Sequence, residues 1–508
     1  CDKKLENYRR LLDEEGDDVY SFRHALIRDV AYELQPREQR ATMHGRVGDA
    51  LRARRKRGAD VSWGAIATHF HAAGRLAAAI ESYAAAADDS RERGSMTSGI
   101  EQLGTAIDLI GELGPDRAAP AREVDLRLKR GFLCVSTAGN ADPRAEADYQ
   151  RCLELVRAEG DGLQLVATLV ALWGYHIARG DLAEADGLLD DILATRVTDD
   201  PVLLAENRTA RGMVRFFQGW FIASEEQLRL AIDAVPDTVR DTRPPSPWQF
   251  PNDPIAFMQV QYGLALWQRG DLVGFEEHLR RARRRIEQLP RPYGPFSLAH
   301  ALTYRGWVLC EIGDFDGAEA CTSELLAIAE QYGFDFWTLA GTTADAINRA
   351  RALLASGTVD ASLLLEQAER LAGTTMLANM IHSRLLLPYN LTAQAELLAE
   401  VGDHDQALDL FDEAMVVADE TGSRYYSAET LRLRARTRRA LGHPLAIDDL
   451  HRAIELASRQ GSIPFELRAR LDLAELGSRS PRLEDLLAVA AFAAASGVPS
   501  PDLSVPGA

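Results

Sequence analysis

The stretch SFRHALIRDVAYEL, residues 21–34, places an imidazole among charged side chains near the start of the chain. His24 lies between Arg23 and Arg28, and Asp29 follows directly. Because histidine titrates near neutral pH, a group of this kind can transfer protons in catalysis. No Ser-His-Asp or Cys-His motif surrounds it. We therefore favour packing or interface contacts over catalysis for His24 and Arg28.

Two further histidines, His69 and His71, are spaced as an HxH pair. On a helix, residues two positions apart point about 200° away from each other, so they are poor joint metal ligands. The chain has no HExxH motif and no second His/Cys cluster at ligand spacing. We predict no catalytic residue, no metal and no cofactor in this chain.

Arginine supplies nearly all the positive charge, and it is concentrated in stretches such as LRRARRRIEQ (279–288) and LRLRARTRRA (431–440). Arginine makes forked contacts with carboxylate and phosphate groups. Arg284, Arg432 and Arg434 are therefore candidates for a concave binding surface. Ordinary salt bridges on an exposed face are the alternative interpretation.

Three aromatic residues are candidates for a ligand pocket. Trp248 and Phe250 lie in DTRPPSPWQFPNDP (241–254), whose five prolines predict a loop. Tyr425 lies in a helical repeat, where an aromatic side chain is more often part of the core.

Composition argues against two classes of function. A net charge of −19 is unlike the basic surface of a general nucleic-acid binder. No run of about eighteen apolar residues is present, so no membrane span is predicted. Five scattered cysteines without a CxxC pair are typical of a reduced protein with buried thiols. We expect a cytoplasmic protein that binds neither nucleic acid nor membrane.

The elements that must position these side chains are helical repeats. An apolar helix, a Gly-polar turn and a second amphipathic helix recur, as in ALWGYHIARGDLAEADGLLDDIL and AELLAEVGDHDQALDLFDEAM. The turn glycines, 39 to 51 residues apart by subtraction, are Gly180, Gly219, Gly270, Gly313, Gly357, Gly402 and Gly442. Glycine can end the first helix in the left-handed conformation. The Asp that often follows can cap the second helix.

This pattern resembles the tetratricopeptide repeat (TPR). The consensus positions of the clearest copy are occupied by Ala395, Gly402, Ala407, Phe411 and Ala414. Ala407, Phe411, Ala414 and Ala418 share one helix face. Such units bury their faces only by stacking, so we predict an α-solenoid.

Longer stretches resemble the C-terminal region of bacterial signalling proteins that contain a STAND-type AAA ATPase. RPYGPFSLAHALTYRGWVLCEIGD and HRAIELASRQGSIPFELRARLDLAEL resemble its repeats. YSFRHALIRDVAYELQPREQRATMHGRVGDAL resembles the end of the winged-helix module before them. In this family a histidine of that module can contact nucleotide, but no motif matches His24 to that role. In such proteins a class III nucleotide cyclase or another output domain accompanies the ATPase.

The resemblance and the repeats together predict an all-α fold, a TPR-like α-solenoid preceded by a small winged-helix remnant. The predicted divisions are a winged-helix end (1–60), a first repeat block (61–240), a proline-rich loop (241–254), a second repeat block (255–495) and a disordered tail (496–508).

The chain has no Gly-Lys pair with which a P-loop could hold phosphates. The resemblance therefore implies a non-catalytic sensor and protein-interaction region. It would bind a protein or small ligand and control an ATPase core and output domain, in the same chain or in another. Two alternatives stay open: part of an ATP-binding adenylate cyclase acting with a separate catalytic chain, and a DNA-binding transcriptional regulator. Since the chain begins without Met, we expect a piece of a longer protein.

Overall fold

The computed structural model describes residues 12–16, 19–113, 120–159, 162–195, 201–236, 251–357 and 360–476. Apart from one β-hairpin, every regular element in these ranges is a helix, so the predicted all-α fold is confirmed. The chain divides into two compact units, Cys1–Ala119 and Pro120–Ala508. No helix in the ranges above is both long and apolar enough to cross a membrane.

The first unit begins with a β-hairpin and continues as helices. Strands β1 (Leu12–Gly16) and β2 (Val19–Phe22) pair antiparallel. The helices are α1 (Ala25–Glu33), α2 (Arg37–Lys56), α3 (Trp63–Ala72), α4 (Leu76–Arg93) and α5 (Met96–Leu113). Within this unit, α2 packs on α3, α3 on α4 and α4 on α5. The assignment of these elements to a winged-helix module stays a prediction.

The second unit is a run of antiparallel helix pairs. The first helices of the pairs are α6 (Pro120–Ala138), α8 (Gly162–Arg179), α10 (Pro201–Phe217), α12 (Pro254–Gln268), α14 (Tyr293–Glu311), α16 (Asp335–Ala355), α18 (Leu387–Glu400) and α20 (Ser427–Ala440). Their partners are α7 (Pro143–Glu159), α9 (Leu182–Ala194), α11 (Phe221–Ala234), α13 (Leu272–Ile286), α15 (Phe315–Tyr332), α17 (Ala361–Met380), α19 (His404–Thr421) and α21 (Ala446–Gln460). Helix α22 (Ile463–Leu476) begins a ninth pair. From α6 to α22 each helix packs on the next, which makes the unit a TPR-like α-solenoid.

The turns form as the repeat predicts. All seven predicted turn glycines separate the two helices of a pair, with φ between 67° and 92°. This left-handed region strains any residue that carries a Cβ. The glycines therefore fix where each first helix ends.

Aspartate caps form in three of the four Gly-Asp turns. Asp271, Asp314 and Asp403 each accept a backbone N–H from three residues later, at 2.7, 3.0 and 3.3 Å. Asp181 does not cap its helix. Its carboxylate accepts instead from Arg179 Nε at 3.1 Å, which corrects the prediction at that turn.

The predicted helix face in α19 is buried, as Ala407, Phe411, Ala414 and Ala418 show. Two of these residues, Ala407 and Phe411, belong to the main core cluster, which runs along the unit from Trp173 to Phe465. The alternation of small and large residues thus serves packing between helices.

Helix pairs of the solenoid contact the pair that lies five places further along the chain. The backbone N–H of Arg384, just before pair 7, donates to the Ala178 carbonyl in pair 2 at 2.9 Å. The N–H of Tyr425, just before pair 8, donates to the Phe217 carbonyl in pair 3 at 3.0 Å. In each contact, the end of a first helix meets the segment that leads into the pair five further on.

The same contact recurs at both ends of the unit. Ser462 Oγ, just before α22, donates to Gln268 Oε1 in pair 4 at 2.6 Å. The turn glycine of pair 1, Gly139, lies so near the Phe336 ring of pair 6 that an added Cβ would come within 2.7 Å of it. Successive turns of the solenoid therefore stack directly, and α12, α14, α18 and α20 are buried on most sides.

The proline-rich stretch joins two pairs of the same unit. Helices α11 and α12 on its two sides pack on each other. Helix α12 begins with Pro254 in its first turn, where a missing N–H costs nothing, and Asp253 caps it by accepting from Ala256 N at 2.8 Å. Residues 241–250 and the predicted tail 496–508 lie outside the described residues. The predicted division of the chain into two repeat blocks stays a prediction.

Candidate functional site

A cavity of about 100 Å³ lies in the second unit among α14, α16 and α18. Small residues create part of it: Gly306 on α14, and Ala340 and Ala344 one turn apart on α16. Leu339 and Ile347 add apolar surface to its wall. Since protein interiors are otherwise close-packed, larger side chains at these three small positions would fill the space.

Aromatic rings form much of the wall. The ring centroid of Trp307 lies 5.7 Å from those of both Tyr389 and Tyr425, edge to face in each case. Tyr304 lines the cavity as well. Tyr425 reaches the cavity from the turn before α20, which is held by its hydrogen bond to Phe217. Rings arranged in this way offer faces and edges to a further ring.

Three buried polar atoms of the lining residues have no hydrogen-bond partner among the described residues: Trp307 Nε1, Asn348 Oδ1 and the Tyr425 hydroxyl. Asn348 is held in place by its amide nitrogen, which donates to the Phe315 carbonyl at 3.0 Å. Buried polar groups of native proteins are nearly all paired, and an unpaired one costs about 1–3 kcal/mol. The residues of the wall thus carry one unpaired donor, one unpaired acceptor and one unpaired group that can be either.

Beside the cavity lies an ion-pair network, made of Glu311, Arg351, Glu396, Tyr426, Glu429, Arg432, Arg468 and Asp472. Its centre is Glu311, which directly follows the cavity residue Cys310. Glu311 accepts from Arg351 Nη1 at 2.7 Å and from Arg468 Nη1 at 2.8 Å. The Tyr426 hydroxyl donates to the same carboxylate at 2.9 Å. The network joins α14, α16, α18, α20 and α22.

Glu429 is the second centre of the network. It accepts from Arg468 Nη1 at 2.8 Å and from Arg432 Nη2, also at 2.8 Å. Arg432 extends the network to Asp472 on α22 at 2.7 Å. Arg468 thereby bridges both buried glutamates.

The network keeps the Glu311 and Glu429 carboxylates ionised. Burial by itself would raise the pKa of Glu311, but Arg351 and Arg468 outweigh burial and hold that pKa below its usual value. Burial acts in the same way on Glu429, and the opposing pull of Arg432 and Arg468 lowers its pKa to about 2. A general acid would need the opposite shift. The network therefore suits fixed ion pairs rather than proton transfer.

Arg432 and Arg434 are buried, exposing only 8% and 7% of their surface. Arg434 binds Asp449 through two hydrogen bonds of 2.9 and 3.0 Å and also contacts Asp412. This corrects the prediction that these arginines line an open concave surface. Arg432 and Arg434 are thus enclosed and paired with carboxylates of their own and the neighbouring helix pairs, whereas Arg436 and Arg439 on the same helix are exposed.

The other predicted site residues are scattered. Arg284 is exposed on α13, while Tyr425 is fully buried and lines the cavity. Trp248 and Phe250 lie outside the described residues. The structure thus brings one residue of this group to the cavity.

His24 and Arg28 lie in the first unit and are exposed. His24 immediately precedes α1, and Arg28 pairs with its neighbour Asp29 at 2.8 Å. Their predicted interface role stays a prediction.

The ring neighbour of His69 is His44, with 2.8 Å between their Nδ1 atoms. In the ranges that the structure covers, no three His, Cys, Asp or Glu side chains are grouped so as to hold a metal ion.

Sequence reasoning missed Trp307, Asn348 and Glu311. A signal for two of them is present, since Asn348 and Glu311 are polar residues on faces that are otherwise apolar in α16 and α14. Nothing in the pattern distinguishes Trp307 from a residue of the core.

No protein-family profile matches the sequence. It is 24% identical over 467 residues to the uncharacterized protein R02095 of Rhizobium meliloti (strain 1021), a match that covers 91% of this chain and 44% of that protein. The chain thus spans less than half the length of this relative.

Two solved structures are similar in their helical arrangement. One is a Rap protein complexed with competence and sporulation factor, with 15% identity and a TM-score of 0.49, covering 74% of this chain and 97% of that one. The other is aspartyl phosphate phosphatase F from Bacillus subtilis, with 13% identity and a TM-score of 0.38, covering 75% and 97%.

Proposed function

We propose that this chain is the non-catalytic sensor and protein-interaction region of a longer signalling regulator that contains a STAND-type ATPase. In this proposal, a protein or small ligand binds the solenoid and changes how its helix pairs pack. That change controls the ATPase core and its output domain. The chain itself carries no catalytic activity in this proposal.

The observation that carries the proposal is the position of the cavity. Its wall takes Gly306 from pair 5, Ala344 from pair 6, Tyr389 from pair 7 and Tyr425 from the segment leading into pair 8. A ligand there touches four successive pairs, and the segment of Tyr425 also holds the contact with pair 3. A ligand that binds one packing of these pairs better than another shifts the equilibrium between them.

The length relation to the relative also supports a longer regulator. The match to the Rhizobium meliloti protein runs along most of this chain but leaves more than half of that protein uncovered. This remainder is where the proposal places the ATPase and output domains.

The test uses the complete gene product and compares its ATP hydrolysis with that of two variants. Ala344→Leu fills the cavity, while Ala352→Leu adds the same atoms at a half-buried position of α16 outside it. We expect Ala344→Leu to change the hydrolysis rate at least about fivefold, the lower range of allosteric coupling, and Ala352→Leu to leave it unchanged. A complete product without a P-loop, or equal rates in all three proteins, would contradict the proposal.

A further inference from the structure

We infer that the cavity binds a small, uncharged molecule with a single aromatic ring and a hydroxyl group. This inference deepens the proposed sensor role and rests on it for its biological meaning. It is tested by binding to the chain alone, so its failure can be told apart from failure of the proposed regulation.

The size of the cavity and the aromatic residues of its wall favour a ligand with a single ring. An engineered apolar cavity of roughly 150 Å³ in another protein binds benzene, and this cavity is somewhat smaller, at about 100 Å³. Its aromatic neighbours Trp307, Tyr389 and Tyr425 already pack edge to face. A further ring can join them in the same geometry.

The absence of charged residues among the described lining residues favours an uncharged ligand. None of the described residues that line the cavity is an Asp, Glu, Lys or Arg. The nearby charges of Glu311 and Arg351 are paired with each other at 2.7 Å. A charged ligand would therefore lose its hydration without gaining an ionic partner.

The unpaired polar atoms favour a ligand that carries a hydroxyl group. Trp307 Nε1 can only donate, Asn348 Oδ1 can only accept, and the Tyr425 hydroxyl can do either. A hydroxyl both accepts and donates, so it can pair with two kinds of atom in this set. A hydrocarbon ring would leave all three atoms unpaired.

The competing explanation is that ordered water pairs with these atoms, since a polar cavity of this volume has room for it. The two explanations predict different binding of a molecule with an aromatic ring. If the site is built for a ring, a phenol displaces water saturably, whereas a site built for water gives no saturable binding.

The experiment titrates the 508-residue chain with phenol, benzene and benzoate and follows heat release by calorimetry. We expect saturable binding of one phenol per chain. Benzene should bind about 2- to 10-fold more weakly, because it lacks the hydrogen bonds. Benzoate should show no saturation over the range in which phenol saturates. Absence of saturable phenol binding, or benzoate affinity equal to that of phenol, overturns the inference.

Variants locate the binding. Ala344→Leu should weaken phenol binding at least tenfold, whereas Ala352→Leu should leave it unchanged. Tyr425→Phe should weaken phenol binding about 2- to 10-fold and leave benzene binding unchanged. Equal phenol affinity in Ala344→Leu and the wild type would place the binding elsewhere and overturn the inference. If Ala344→Leu fails to fold, Ala340→Leu on the same wall serves in its place, and the three-ligand series decides without any variant.

Discussion

The cavity and the ion-pair network lie side by side in the same solenoid, but their buried polar atoms differ in hydrogen bonding. In the network, Glu311 accepts hydrogen bonds from Arg351 and Arg468 on other helices. Glu429 accepts from Arg468 on another helix and from Arg432 on its own helix. In the cavity wall, Trp307 Nε1 and the Tyr425 hydroxyl are buried without a partner in the described part of the chain. The polar atoms of one region are thus paired within the fold, whereas those of the other have no partner among the described residues.

The two adjacent tyrosines mark this difference most clearly. Tyr425 and Tyr426 are both fully buried in the turn before α20. The Tyr426 hydroxyl bonds Glu311 and Arg351, while the Tyr425 hydroxyl has no such partner among the described residues. One residue along the chain therefore separates a structural contact from a candidate recognition contact.

The largest effect should come from removing the centre of the network. Glu311→Gln removes the buried carboxylate that Arg351 and Arg468 share, and these two side chains are themselves only 12% and 26% exposed. Breaking one partner of a buried ion pair costs about 3–5 kcal/mol, because the remaining charge stays desolvated. We expect a loss of this size in the free energy of unfolding, measured by urea denaturation.

The matched control is Glu330→Gln, which removes the same charge from an exposed position on α15. Its effect should lie within about 0.5 kcal/mol. Equal effects of the two changes would show that the network contributes nothing specific to stability.

The second-largest effect should come from acid, which weakens the network. The pKa of Glu429 is about 2 in the folded chain against an ordinary value of 4.5. A carboxylate with a lowered folded pKa contributes its full stability above pH 4.5 and loses it as pH falls towards 2. The shift corresponds to roughly 3 kcal/mol, of which about 2 kcal/mol is lost between pH 5 and pH 3.

This pH dependence is measured as the free energy of unfolding at pH 5 and pH 3, in the wild type and in Glu429→Gln. Other carboxylates contribute to both proteins, so the difference between the two slopes reports the Glu429 carboxylate together with its effect on the coupled Glu311. Parallel slopes would contradict the assignment of a lowered pKa to this residue.

A smaller loss should follow from removing one neutral group of the network. Tyr426→Phe deletes the hydroxyl that donates to Glu311 and accepts from Arg351. Hydrogen bonds to charged groups contribute about 1.5–3 kcal/mol, and we expect a loss of that size in urea denaturation. A loss below about 0.5 kcal/mol would mean that the network does not depend on this tyrosine.

The repeats could be predicted because their signals are local. A glycine at each turn and small residues on one face of α19 act within a few positions of the chain, and the structure confirms both. The cap at Asp181 could not be predicted in the same way, because Arg179 competes for its carboxylate.

The cavity and the network could not be predicted, because they depend on contacts between pairs that are distant along the chain. Glu311 meets Arg468 across 157 positions. The pattern of arginines in α20 looks the same whether the helix faces solvent or a stacked turn. Arg432 and Arg434 are enclosed because carboxylates of α19, α21 and α22 meet them in the folded chain.

The smallest effect should be found at the neighbouring tyrosine, and it is the sharpest test of the comparison. Tyr425→Phe removes a hydroxyl that has no partner in the described part of the chain and leaves the ring packed against Trp307 and Phe217. Since no hydrogen bond is lost, we expect a change within about 0.5 kcal/mol, or a slight stabilisation. Urea denaturation of this variant beside Tyr426→Phe measures the contrast under identical conditions. A loss as large as that of Tyr426→Phe would show that the Tyr425 hydroxyl is already paired in the folded chain, and the two regions would then not differ.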